Sequence, residues 1–247
     1  MKMLLRLTWV EVKLLGREPL TLIFTFALPL LILLVLGGIF RTSSVLDDYL
    51  VNRPPIDWYV PAYMALVAAS IGLISLPVHL ASYRERGVLR RFRASGVSET
   101  SIFGSQLLVS LGIALVGSGL LYLLGALVYQ ADPPLDPLRF VLAFVVGVAM
   151  FAAVGVLLAA VMPTARAAQG LGLILWFVML FVSGTSSPFA LLPRWLRGIG
   201  KALPLYHVVR AFEQPWNGRG TDVVHLSVVA AICVLASVLA ARLFRWD

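Results

Sequence analysis

Residues 138–162, LRFVLAFVVGVAMFAAVGVLLAAVM, decide the fold, because Arg139 is the only charged side chain among these 25 residues. About 20 consecutive apolar residues are enough for a helix to cross the roughly 30 Å of hydrocarbon in a bilayer. The whole chain has the same character, since 60% of its residues are hydrophobic and 13% are charged, with a mean hydropathy of +0.93. A soluble domain carries about 25% charged residues. The stretch is therefore predicted to be a membrane-spanning helix.

Working outward from this stretch, we find five further apolar runs. The six predicted spans are, in chain order, about residues 20–40, 58–80, 101–129, 138–162, 167–182 and 223–244. The third is long enough to be tilted or to extend beyond the bilayer, and the fifth is short. Six spans use most of the chain and leave no room for a soluble catalytic domain. We therefore predict an all-α polytopic membrane protein with a single transmembrane domain over residues 1–247.

The distribution of charge predicts the orientation of these spans. With six spans both termini lie on one side, and the side richer in Lys and Arg is the cytoplasmic one. Placing the termini in the cytoplasm gives a net charge of +7 inside, from 12 cations and 5 acids, and +1 outside, from 8 cations and 7 acids. We therefore expect a multi-pass protein of the cell membrane with cytoplasmic termini. Lipid headgroups are the expected counter-charge, and no basic patch on a soluble module indicates nucleic-acid binding.

Two cytoplasmic segments are predicted to form short amphipathic helices. The cations of residues 2–18 fall within about 60° of one another in a helical projection, as in an elbow helix that lies in the membrane interface. Residues 82–98, SYRERGVLRRFRASGVS, carry five arginines within ten residues. In a helical projection Val88, Leu89 and Phe92 share one arc and the arginines occupy the opposite half. By charge alone this segment is either a topology signal or a surface that pushes on a cytoplasmic partner.

The predicted exterior stretch 183–222 is unlike an ordinary loop. Prolines divide it into short pieces, and residues 191–200, LLPRWLRGIG, are both apolar and basic. This piece is too short and too charged to span a membrane. We predict re-entrant or interfacial helices that the rest of the protein shields, with Pro193, Trp195 and Pro204 at an exterior gate.

The sequence indicates no catalytic residue, metal site or cofactor site in this chain. No ionisable side chain is predicted deep in a span, which argues against an ion-coupled pump or a channel. Residues 198–201, GIGK, do not form a phosphate-binding loop, because Ala202 follows where such a loop has Ser or Thr. Cys233 is the one cysteine and cannot form an intrachain disulfide. If the chain carries out active transport, the energy for that transport must come from another polypeptide.

Two spans carry side chains suited to a hydrophobic or amphipathic substrate. Aromatic and thioether groups predict a substrate pathway there, although the same residues could equally face lipid or neighbouring helices. The pathway candidates are Tyr63, Met64, Trp176, Phe177 and Phe181.

Small residues at helical spacing occur in two spans and predict close helix packing. The two stripes are Ser110, Ala114 and Ser118 in the third span and Gly147, Gly155 and Ala159 in the fourth.

Three blocks of sequence, in this order, resemble the type-2 ABC transporter permeases, the membrane subunits of drug, antibiotic, polysaccharide and lipid exporters. The first is REP at 17–19 with ALPL at 27–30 and GGIF at 37–40. The second is ERG at 85–87 with RFRASGVS at 91–98, although Gly96 stands where many members have proline. The third is Pro188, PRWL at 193–196, PL at 204–205 and Arg210.

The resemblance implies a specific assembly. Two permease subunits, identical or sister, would enclose a pathway, and two separate ATP-binding subunits, which hold ATP and Mg²⁺, would dock beneath them. The segment 82–99 would transmit the closure of the ATPases, with the elbow helix assisting. Its expected coupling residues are Glu85, Gly87, Arg90, Arg91, Arg93 and Ser98. Glu85 could pair with a cation or cap the short helix, Gly87 could permit close approach, and Arg91 and Arg93 could face acidic groups of the ATPase.

Three alternative functions stay open from the sequence. A haem-export or cytochrome-maturation permease would have a similar size, with His207, His225, Trp195 and Trp216 as candidate haem contacts. An intramembrane enzyme would need paired catalytic groups in its spans, which we do not find. A membrane scaffold or immunity factor would neither transport nor hydrolyse anything.

Overall fold

The computed structural model describes residues 23–40, 56–96, 98–186 and 189–243. Within these ranges every regular element is helical, which confirms the all-α class. The predicted elbow helix 2–18 lies outside the described residues.

Ten α-helices are described. Three short irregular turns interrupt or connect them, namely π-turns at Ile23–Ala27 and Ile71–Ser75 and a 3₁₀ turn at Phe189–Leu191. The helices are α1 Leu28–Phe40, α2 Ile56–Ser70, α3 Leu76–Glu85, α4 Val88–Ala94, α5 Glu99–Tyr129, α6 Pro137–Val161, α7 Ala165–Val182, α8 Arg194–Ala202, α9 Pro204–Trp216 and α10 Val223–Leu243.

Five helices in the described ranges are long and apolar enough to cross a membrane. They are Ile56–Glu85, Ser101–Tyr129, Pro137–Val161, Ala165–Val182 and Val223–Leu243. The first predicted span corresponds to a shorter apolar helix, Ile23–Ile39. The polytopic membrane fold is therefore confirmed, and the number of six spans stays a prediction.

One long helix, which we call the central helix, forms the middle of the molecule. It comprises α2, the π-turn and α3, a total of 30 residues at Ile56–Glu85. Helices α1, α5, α6, α7 and α9 pack around it. Nearly all of its side chains from Ile56 to Ala81 are buried, which explains why the sequence is apolar on every side of this helix.

The π-turn in the central helix lies beside a proline. Pro77 has no N–H, so it cannot donate to the carbonyl of Leu73 four residues earlier. That carbonyl faces α7 at Gly172, where a Cβ would collide with the Leu73 oxygen. The missing hydrogen bond and the missing side chain therefore occur at the same place and bring α7 against the central helix.

The stripe of small residues predicted in α6 packs against the same π-turn. A Cβ at Gly155 would lie 2.5 Å from the carbonyl oxygen of Gly72, and a Cβ at Gly72 would collide with the backbone of Phe151. Gly147 lies against Phe212 of α9. The second stripe is buried as well, at Ser110, Ala114 and Ser118. The predicted packing role of both stripes is confirmed.

Apolar contacts divide into two clusters. The larger one surrounds α2 and includes Trp176, Phe151 and Phe212. The smaller one lies at the opposite end, around α3 and α4. Its buried members are Leu76, Leu80, Leu89, Ile102, Ala152, Val156, Ala159 and Ala240. The charged segment 82–98 therefore has an apolar support of its own.

The stretch between α7 and α10 contains two helices, α8 and α9, as well as the 3₁₀ turn. Helix α9 packs on α2, α6 and α10 and buries Leu205, Val208, Val209 and Phe212. Helix α8 is shorter and mostly exposed. The predicted helices are present, and their position relative to the membrane stays a prediction.

Candidate functional site

The charged segment 82–98 begins in the last turn of the central helix, which ends at Glu85. The backbone N–H of Arg86 donates to the carbonyl of Ser82 at 3.0 Å, and Gly87 follows with a φ of +66°. Glycine takes this left-handed conformation without the steric penalty that other residues incur. Among the described residues nothing lies within 4 Å of the position that a Cβ on Gly87 would occupy. Within this chain, then, Gly87 serves the turn rather than a close contact.

Arg84 caps the C-terminal end of α6. Its guanidinium donates to the carbonyl oxygen of Ala159 at 3.0 Å and also to that of Met162. The last carbonyls of a helix have no partner within the helix and carry partial negative charge, so a cation there is favourable. Arg84 thus fixes the end of the central helix to the end of α6.

Glu85, the next residue, caps the N-terminal end of α7. Its Oε1 accepts a hydrogen bond from the backbone N–H of Ala165 at 2.9 Å. The first N–H groups of a helix lack partners and carry partial positive charge, so a carboxylate there is favourable. Thr164 completes the cap by accepting from the N–H of Ala167 at 3.1 Å.

This contact differs from the expectation that Glu85 would cap the short helix of its own segment. The difference arises because the tight connection between α6 and α7 places unpaired backbone groups next to the end of the central helix. Two adjacent residues of opposite charge, Arg84 and Glu85, therefore bind two helix ends of opposite polarity. We call this arrangement the double cap.

Helix α4 packs by its apolar side and exposes its basic side. Leu89 is buried in the smaller cluster, and Phe92 packs against it with an edge-on contact to Tyr83 at 6.1 Å between ring centres. Arg90 and Arg91 lie on the exposed side. Arg86, in the preceding turn, is exposed as well, and the side chain of Arg93 lies outside the described part.

The end of α4 and the start of α5 are set by Gly96 and Ser98. Gly96 has a φ of +76°, a conformation that proline cannot adopt because its ring fixes φ near −65°. The turn therefore favours glycine at the position where the sequence departs from the pattern that it resembles. Ser98 is the N-cap of α5, and its Oγ accepts from the N–H of Ser101 at 3.2 Å.

The exposed arginines allow the charged segment to bind carboxylate groups. A guanidinium presents a planar fork of donors that matches a carboxylate, and such pairs are stronger than neutral hydrogen bonds. Arg86, Arg90 and Arg91 can therefore bind acidic side chains of another protein while Leu89 and the double cap hold the backbone beneath them.

At the other end of the molecule α9 carries a buried ion pair that the sequence reasoning missed. The guanidinium of Arg210 lies 3.1 Å from a carboxylate oxygen of Glu213, whose side chain is 9% exposed. Burial raises the pKa of Glu213 to about 7, although Arg210 acts in the opposite direction. The spacing of three residues in an amphipathic helix was the available signal.

Of the predicted exterior gate residues, two flank α8 and one lies within it. Pro193 is its N-cap, Trp195 is 67% exposed in its first turn, and Pro204 begins α9. The two histidines considered as haem contacts bind each other, with 2.9 Å between the Nδ1 atoms of His207 and His225. The Nε2 of His207 also contacts the carbonyl of Lys201.

Three of the five pathway candidates are buried within the chain. Tyr63 and Trp176 belong to the larger cluster, where the indole N–H of Trp176 donates to Ser70 Oγ at 2.7 Å. Met64 lies beside an apolar cleft of about 430 Å³ between α5 and α6. Phe177 and Phe181 are exposed on α7.

The exposed pair belongs to a continuous apolar face of α7. Ile174, Phe177, Val178 and Phe181 follow the helical spacing of three and four residues, and each is at least 42% exposed. Phe24 contacts the edge of Phe177 at 6.1 Å between ring centres. The face therefore continues beside the first apolar helix.

Comparison with known proteins gives one family. A family model described as ABC-2 type transporter matches residues 3–215, most of the chain. No curated protein matches the chain.

Proposed function

The chain belongs to the ABC-2 type transporter family and is a membrane permease subunit of an ABC transporter, and we propose that it exports a hydrophobic or amphipathic substrate. The ABC-2 membrane domain is a transmembrane subunit and not a nucleotide-binding domain, and it generally acts with an ATP-binding subunit. We propose two copies of that subunit, which bind the ATP and Mg²⁺, and a second permease, identical or sister. The N- and C-termini are cytoplasmic in this proposal.

The observation that carries the proposal is the double cap beneath the exposed arginines. A force applied to α4 reaches α6 through Arg84 and α7 through Glu85, because both residues hydrogen-bond to backbone at the ends of those helices. Leu89 fixes α4 to the same support. An ATPase that binds Arg90 and Arg91 would therefore move two spans and the central helix together.

The substrate pathway is proposed to run along the exposed apolar face of α7. Phe177 and Phe181 would contact the substrate or the second permease, since their rings are exposed in the single chain. Trp176 would support this wall from behind, while Tyr63 in the larger cluster and Met64 beside the cleft between α5 and α6 would contribute to the pathway elsewhere. Trp176 packs edge-on against Phe177, at 5.2 Å between ring centres, and so fixes the orientation of that ring.

The proposal is tested by isolating the tagged chain from its native membrane. We expect an ATP-binding subunit to co-purify and the complex to hydrolyse ATP. Replacing Arg90 and Arg91 by Gln should reduce the recovered ATPase about tenfold or more, since each charge-assisted contact contributes about 1.5–3 kcal/mol.

The matched control removes two exposed arginines from the opposite end of the molecule, Arg139 and Arg219. This double Gln variant changes the net charge equally and should leave recovery of the ATPase unchanged. Equal losses in both variants would contradict docking at α4. Recovery of the chain without any ATP-binding subunit would contradict the proposed complex.

A further inference from the structure

A cleft of about 560 Å³ lies between α8, α9 and the 3₁₀ turn. We call it the basic cleft, because four of its lining side chains are cations, while among the described residues no acidic side chain lines it. The cations are Arg194, Arg197, Lys201 and Arg210, and the rings of Phe189 and Tyr206 form its apolar wall.

The cations of α8 all project from one side of that helix. Arg194, Arg197 and Lys201 are spaced by three and four residues and so lie above one another. Among the residues that the structure describes, no carboxylate in the cleft wall neutralises them. Arg210 approaches from α9, and its partner Glu213 lies buried behind it. The cleft is therefore prepared for an anion, and several guanidinium groups favour a phosphate in particular.

An apolar strip forms a second exposed side of α8, about 100° around the helix axis from Arg194. Trp195 and Ile199 are 67% and 47% exposed and follow each other by one helical turn. A third side of the helix packs on the protein at Gly200, where a Cβ would lie 2.4 Å from the carbonyl oxygen of Val182. A helix with a packed side, a cationic side and an exposed apolar side is typical of the membrane interface, where Trp is enriched.

We infer that the basic cleft binds the anionic phosphate headgroup of a membrane lipid, whose acyl chains lie along Trp195 and Ile199. The cations bind the phosphate oxygens, and the apolar strip distinguishes a lipid from a soluble phosphate because it offers the acyl chains a surface. The inference does not depend on the substrate that the transporter exports. It also gives a reason for the basic character of this stretch, which is unusual for an exterior segment.

The test uses the full-length chain in neutral detergent and phosphatidylglycerol with a fluorescent acyl chain. The Arg194→Gln and Arg197→Gln double variant should bind this lipid about 30-fold more weakly than the natural chain. The control is the Arg139→Gln and Arg219→Gln double variant, which loses two exposed arginines from the same end of the molecule and should bind within about twofold of the natural chain.

Two further arms identify the source of the phosphate. Labelled phosphatidylcholine should bind more weakly than phosphatidylglycerol, because its choline balances the phosphate charge, and excess inorganic phosphate should displace little of the labelled phosphatidylglycerol. Equal losses of lipid affinity in the two double variants would contradict binding in the basic cleft. Complete displacement by inorganic phosphate would contradict a lipid as the ligand. If the double variant does not fold, Arg197→Gln alone should still weaken binding about fivefold.

Discussion

The carboxylate of Glu85 and the backbone N–H of Ala165 are joined by a hydrogen bond of 2.9 Å across 80 residues of sequence. This contact ties the last residue of the central helix to the first residue of α7. Its strength determines how firmly a movement of the charged segment is transmitted to that span.

Replacing Glu85 tests this contact. We expect Glu85→Ala to lower the free energy of unfolding by about 1 kcal/mol, because the variant lacks both the acceptor and the negative charge at the helix end. Glu85→Gln should lower the free energy of unfolding by about half as much, since its amide oxygen still accepts a hydrogen bond. The measurement is thermal unfolding in detergent. Identical unfolding of the alanine variant and the natural chain would contradict a capping role.

Two glycines in α7, two residues apart, form a matched pair. Gly172→Ala should destabilise the protein by several kcal/mol or prevent folding, since its Cβ would collide with the carbonyl of Leu73. Gly170→Ala should be neutral or stabilise by up to about 1 kcal/mol, because no atom of the described part of the chain lies within 4 Å of its Cβ position. Expression and thermal unfolding of the two variants provide the comparison. Equal stabilities would show that α7 does not approach the π-turn so closely.

Leu89 is the apolar anchor of α4. Leu89→Ala should weaken the attachment of α4 by about 2–4 kcal/mol, the usual cost of truncating a buried leucine. We expect faster hydrogen exchange at residues 88–94 and a loss of ATP-driven transport while ATP hydrolysis continues. Val88→Ala, at a half-buried neighbour, is the control and should change both readouts less. Unchanged exchange in the Leu89 variant would show that α4 is held by other contacts.

The buried carboxyl group of Glu213 makes stability depend on pH. Its pKa is about 7 in the folded protein and near the ordinary 4.5 in the unfolded chain. Between these values the folded state binds more protons, so stability falls as the pH rises from about 4.5 to 7, by up to about 1.4 kcal/mol per pH unit.

Glu213→Gln removes this titration. The difference in unfolding free energy between the natural chain and the variant should change across that window and become constant above it. Unfolding in detergent at a series of pH values measures the difference. A difference that is constant from pH 4.5 to 7 would show that Glu213 is ionised throughout in the folded protein.

The sequence predicted those features that depend on local pattern. The arc of Val88, Leu89 and Phe92 indicated which side of the short helix would pack, and the structure buries Leu89 and covers most of Phe92. The small-residue stripe in α6 likewise indicated the approach at Gly155. In both cases the helical period alone carries the information.

Features that depend on contacts between residues far apart along the chain could not be predicted from the sequence. Arg84 was one of the five arginines expected opposite the apolar arc of the short helix, but its partners are Ala159 and Met162, 75 and 78 residues away. Those partners are backbone carbonyls, which every residue has, so no pattern of side chains could identify them. The burial of Glu213 was missed for a similar reason, because the fold rather than the sequence of α9 determines which side is covered.

The central helix also has a mechanical consequence. Its 30 residues form a rod about 45 Å long, so a tilt of about 5° about a point near its middle displaces each end by about 2 Å, in opposite directions. The double cap holds one end of this rod, and at the other end Asp57 accepts a hydrogen bond from the backbone N–H of Asp132. The rod is a lever whose fulcrum is the crowded crossing of Gly72, Gly155 and Gly172. A small movement imposed beside α4 would thus arrive, similar in size and opposite in direction, at the far surface of the membrane.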